Sequence, residues 1–94
     1  MELNSQQELL DFLLELAQTV RSRGADVHAD SFLRACKHYF TSSEFLGESH
    51  VALSAAQKAE DAKLTPAEQQ EIADVMKQIK IAMDKRSTGH KNLS

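Results

Sequence analysis

The residues of this chain best suited to chemistry are its four histidines, His28, His38, His50 and His90, and its single cysteine, Cys36. Imidazoles hold a metal when two share one helical face, as H-x-x-x-H spacing provides. No pair here has that spacing, and Cys36 and His38, two residues apart, project about 200° from each other on a helix. One cysteine also excludes an internal disulfide and any zinc site built from several thiolates. No metal, haem or other cofactor is expected, and the histidines read as exposed polar residues. A phosphotransfer histidine is followed on its helix by Lys and Gly, whereas His50 precedes Val51-Ala52-Leu53 and His38 precedes Tyr39-Phe40-Thr41. A nucleophilic thiol needs an activating base. The apolar neighbours of Cys36, namely Phe32, Leu33, Tyr39 and Phe40, predict instead a buried, inert thiol of raised pKa. Three isolated glycines build no phosphate loop or nucleophile elbow. No catalytic residue stands out, and the sequence reads as that of a non-enzyme.

The remaining chemistry is charge. Residues 1–30 carry six acids against two bases, residues 31–64 four of each, and residues 65–94 four acids against five bases. With a net charge of −3 and a pI near 5.7, the chain lacks the basic excess of a nucleic-acid binder. A helix-turn-helix reading of the segment around Thr41 fails because Glu44 and Glu48 would face the phosphates. No apolar run approaches the ~20 residues of a membrane span. The N-terminus has no basic region, and Asp11 and Glu15 interrupt its leucines, so no signal peptide is expected and the reading is cytoplasmic.

These side chains must be positioned by helices. At 94 residues, 41% hydrophobic and 27% charged, with only three Gly and one Pro, the chain is sized for one soluble domain and is poor in β-turn residues. Ser5 and Glu8 have the S-x-x-E spacing of a capping box and open a first helix that ends at Arg23, before Gly24. Its apolar residues, from Leu9 to Val20, fill an arc of roughly 200° at ~100° per residue, wider than the surface of a small bundle requires. A second helix is predicted from near Asp30, as its cap, to about Phe40, with Phe32, Ala35, Cys36, Tyr39 and Phe40 inward. One rod from Phe32 through Ala62 would place Phe45 roughly 220° around from Phe32, so a break is predicted at 41–44, where Thr41 and Glu44 repeat the capping-box spacing. The third helix, about 44–62, is rich in Gly, Ala and Ser, a face suited to close packing or to an open groove, with Phe45, Leu46 and Leu53 as its large inward residues. Thr65-Pro66-Ala67-Glu68 starts the fourth helix. Its stripe of Ile72, Val75, Met76, Ile79, Ala82 and Met83 suits an antiparallel bundle seam.

The expected fold is therefore all-α: a compact four-helix bundle with short connections over residues 1–86, followed by a disordered polar tail, 87–94. The expected function is stoichiometric protein–protein interaction by a small cytoplasmic adaptor, chaperone or regulator. The surplus apolar flank of the first helix, Leu10, Leu14 and Ala17, would bind a protein partner or a second copy in a homodimer, bordered by Glu8, Asp11 and Glu15. The alternative is an inhibitor or immunity-type protein whose acidic stripe occludes a basic enzyme surface. Ionic strength separates the two, because screening weakens exposed charge pairs far more than apolar contact.

Overall fold

A computed structural model describes residues 5–93, with side chains through Asp84. The polar tail expected over 87–94, like the boundary at 86, falls outside the described side chains. The fold is an all-α four-helix bundle: α1 (Gln6–Ser22), α2 (Asp26–Cys36), α3 (Ser42–Lys58) and α4 (Pro66–Leu93), with a short 3-10 turn at Glu60–Ala62. Each helix packs on its sequence neighbours, α1 on α2, α2 on α3 and α3 on α4, while α4 stands farther from α1.

Local chemistry fixes the ends of α1. The Ser5 hydroxyl accepts the Glu8 backbone N–H at 3.2 Å. At the other end Gly24 takes φ +87°, the left-handed conformation that glycine adopts without a Cβ clash. The Ala25 N–H reaches the Val20 carbonyl at 2.9 Å and the Gly24 N–H reaches Arg21 at 3.0 Å, the paired bonds of a Schellman motif. Ala25 and Val20 are both buried, so the motif's apolar contact is in place.

That turn launches α2 four residues earlier than the expected start at Asp30. The Asp30 carboxylate is not a cap; it takes Arg21 Nη2 at 2.7 Å and ties α2 back to α1. The far end of α2 also differs. Residues 37–41 turn through i→i+3 bonds, among them Tyr39 N–H to Cys36 and Thr41 N–H to His38, and α3 starts at Ser42. A break is present, but it lies at 37–41 and not at the expected 41–44, since residues 42–44 already form the first turn of α3; it places both Phe32 and Phe45 in the core. Its chemistry is not the expected one. Thr41 makes no side-chain cap, and the Glu44 carboxylate lies 3.1 Å from His38 Nδ1. Phe40, expected inside, is 95% exposed, because the tight turn aims it outward while Tyr39 packs edge-on against Phe45. Cys36, expected to be buried, is only half-buried; partial burial raises its thiol pKa.

α3 ends at Lys58, four residues before its expected end. Ala59 is extended and Lys63 is left-handed at φ 55°, so the 3-10 turn between them buries Ala62 and presents Asp61 to α2. His28, expected to be exposed, is 9% exposed, and its Nε2 lies 2.9 Å from Asp61 Oδ1. An imidazole with one nitrogen bonded tolerates a mostly apolar setting, which a periodicity argument does not detect. The capping box of α4 forms in both directions, Glu68 N–H to Thr65 Oγ1 at 3.2 Å and Thr65 N–H to Glu68 Oε1 at 2.9 Å. Ile72, Val75 and Ile79 are buried along the predicted stripe, Met76 and Ala82 pack at its edge, and Met83 is exposed.

One core atom is out of balance. Ser49 is fully buried on the small-residue face of α3, and its hydroxyl has no hydrogen-bond partner among the described residues. Leaving a buried hydroxyl unpaired costs about 1–3 kcal/mol. Ser49→Ala, which also improves helix propensity, is therefore expected to stabilise the protein by about 1 kcal/mol, read as a higher urea midpoint. A lower midpoint would show that the hydroxyl is bonded.

Candidate functional site

The six residues of the expected binding flank do not form one patch. Ala17 is 3% exposed and belongs to the core, because α2 packs closely on that side of α1. Leu10 is half-buried against the same core, whereas Leu14 remains 38% exposed. Residues seven apart lie about 20° apart on a helix, so Leu14 shares the edge of Arg21, whose guanidinium bonds Asp30 of α2. Glu8 is half-buried near the capped N-terminus, and Asp11 is exposed and accepts the Gln7 side-chain amide at 3.0 Å. Glu15 is exposed on the other edge, toward α4.

On that edge lies an open groove of about 400 Å³ between α1 and α4. Phe12 and Leu16 form its apolar floor, Glu15 and Thr19 its α1 side, and Glu68 and Glu71 its α4 side. The groove exists because the side chains of α3 and of the core space α4 away from α1, and because one polar cluster holds the two helices at one end. Arg23, at the end of α1, donates both guanidinium nitrogens to the Glu68 carboxylate and a further bond, at 3.0 Å, to the Lys63 carbonyl. Lys63 Nζ donates in return to the Arg23 carbonyl at 2.9 Å. Since α1 ends where α4 begins, the two helices run antiparallel from this clasp.

The clasp sorts the charges of the groove. Arg23, helped by the Thr65 N–H, holds the Glu68 carboxyl at about 2 against an ordinary value of 4.5, so Glu68 is ionised but compensated. Glu15 and Glu71 have no hydrogen-bond or ion-pair partner among the described residues. The groove therefore sets two carboxylates without partners among the described residues on facing helices, above a base of buried Phe12 and Leu16. Such a surface suits a cationic, amphipathic segment, with apolar side chains seated on the floor and ammonium or guanidinium groups at the rim. It contains no assembled acid–base pair. Among the described residues no three His, Cys, Asp or Glu side chains gather closely enough to hold a metal ion, and no helix is long and apolar enough to cross a membrane.

Sequence reasoning identified Glu15 but not its counterparts Glu68 and Glu71. Glu68 was legible only as part of the start of α4, and Arg23 only as the end of α1. The seventeen-residue α1 and the capped start of α4 gave no measure of the distance between them. Compared with protein-family models, curated proteins and solved structures, the chain matches none.

Proposed function

We propose that this protein is a small protein-binding module, an adaptor, chaperone or regulator that acts by stoichiometric binding through the uncovered side of α1. The groove between α1 and α4 carries this reading: it is lined at its rim by the carboxylates of Glu15 and Glu71, which have no partner among the described residues, above Phe12 and Leu16, which are buried at its base. The uncovered side of α1 continues from the groove through Asp11 to Leu14, an exposed leucine that gains about 1.5–3 kcal/mol on full burial by a partner. A second reading, an inhibitor that occludes a basic enzyme surface, is favoured by the same uncompensated carboxylates.

The test is affinity capture from the native cell with the full chain, comparing wild type with Leu14→Glu and with the double variant Glu15→Lys, Glu71→Lys. Leu10 is left intact because it packs against the core. Wild type is expected to retain a discrete partner in stoichiometric amount, and each variant to retain it at least about tenfold less well, the scale of losing one anchoring contact. Retention that survives high salt supports apolar docking, and retention lost with salt supports occlusion of a basic surface. A partner retained equally by wild type and both variants would overturn the proposal.

A further inference from the structure

We propose that the groove between α1 and α4 is filled by the outer face of α4 from a second copy of this chain. The inference rests on the groove being a docking site and names its occupant. The outer face of α4 carries a ridge left open by the described residues: Ile81 is 46% exposed, and Lys77 and Lys80 are exposed without a hydrogen-bond or ion-pair partner among them. Lys77 and Ile81 are four residues apart and lie side by side on the helix surface. Lys80 falls on the same outer half of the helix, away from the buried stripe of Ile72, Val75 and Ile79. Between residues 77 and 84 the only carboxylate is Asp84, outnumbered by the two lysines.

Ridge and groove are complementary in charge. The two lysines meet Glu15 and Glu71 at the rim, and Ile81 is covered against the groove's base, where Phe12 and Leu16 are themselves buried. Neither set of charges has a partner among the described residues of one chain, and each supplies what the other lacks. This favours a second copy over an unrelated basic helix. Because α4 supplies one wall of the groove as well as the ridge, two copies related by a two-fold axis insert each ridge into the other's groove, and the assembly closes as a dimer.

Sedimentation equilibrium on the full chain tests this with a charge exchange. Wild type is expected to form a dimer whose dissociation constant rises with salt. Lys77→Glu with Lys80→Glu places an acidic ridge opposite an acidic groove, and Glu15→Lys with Glu71→Lys places a basic ridge opposite a basic groove. Each variant alone is expected to associate at least about tenfold more weakly than wild type, because like charges face each other. An equimolar mixture is expected to recover the dimer, since every ridge then meets a groove of opposite sign. Circular dichroism confirms that the exposed substitutions leave the helices intact, and the single variants Lys77→Glu and Glu15→Lys repeat the exchange if a double variant unfolds. A wild type that stays monomeric at high concentration, a variant that dimerises as wild type does, or a mixture that stays monomeric would overturn the proposal. None of these outcomes affects the capture experiment, which judges the groove as a docking site for any partner.

Discussion

Phe45→Ala is expected to destabilise the bundle by about 3–5 kcal/mol, whereas Phe40→Ala is expected to change stability by less than about 0.5 kcal/mol. The two phenylalanines are five residues apart and flank one turn, but they face opposite environments. Phe45 is fully buried at the start of α3 and meets the Tyr39 ring edge-on at a centroid distance of 5.5 Å. Removing its ring deletes the apolar contacts and leaves a cavity that close-packed helices refill only in part. A loss of that size is a large share of the roughly 5–15 kcal/mol that holds a domain together, so the variant should be largely unfolded in mild denaturant. Phe40 is 95% exposed, and its ring contact is with neighbouring Tyr39 alone among the described residues. Urea denaturation of both variants checks the pair. Comparable losses would mean that Phe40 belongs to the core and that the turn at 37–41 is wrongly placed.

Acidification is expected to undo the clasp between α1 and α4. Glu68 titrates at about 2 in the folded protein, held down by Arg23 and by the Thr65 N–H, and at about 4.5 when unfolded. Between those values the unfolded chain binds more protons than the folded one, so stability rises with pH there. The contribution of Glu68 is complete above pH 4.5 and disappears as the pH falls toward 2. Asp61 acts in the same direction, because its hydrogen bond with His28 lowers its carboxyl pKa. Urea midpoints measured from pH 7 to pH 2.5 should fall for wild type and fall less for Glu68→Gln. Glu68→Ala, which also removes the reciprocal cap of α4, is expected to cost about 0.5–2 kcal/mol at pH 7. A Glu68→Gln variant with the full wild-type acid dependence would show that the clasp does not carry it.

Much of this architecture is local and was legible in the residues themselves. Ser5 with Glu8, Gly24, and Thr65-Pro66-Ala67-Glu68 each satisfy backbone groups within a few residues of their own position, so their sequence spacing is their structure. The stripe from Ile72 to Ile79 follows from helical period alone. The features that escaped are those in which a side chain chooses between a local and a distant partner. Asp30 reads as a cap but bonds Arg21, and Glu44 reads as half of a capping box but lies beside His38. His28 reads as a surface residue until the 3-10 turn brings Asp61 to it. The groove escaped for the same reason. Its depth depends on how far α3 and the core hold α4 from α1, and no spacing within a single helix encodes that distance. Of the flank centred on Leu10, Leu14 and Ala17, Ala17 is buried and Leu10 half-buried against the core, so Leu14 alone of the three is exposed.

We propose that this protein works by binding another protein across the open side of α1 and α4. Site-specific photo-crosslinking in the native cell tests this, with the photoreactive residue placed at Glu71 in the groove, at Leu14 on the exposed edge of α1 away from it, or at Val27, which is exposed on α2. A discrete protein adduct, to a partner or to a second copy, is expected from positions 14 and 71 and none from position 27. Adducts of equal yield from all three positions, or from position 27 alone, would contradict it.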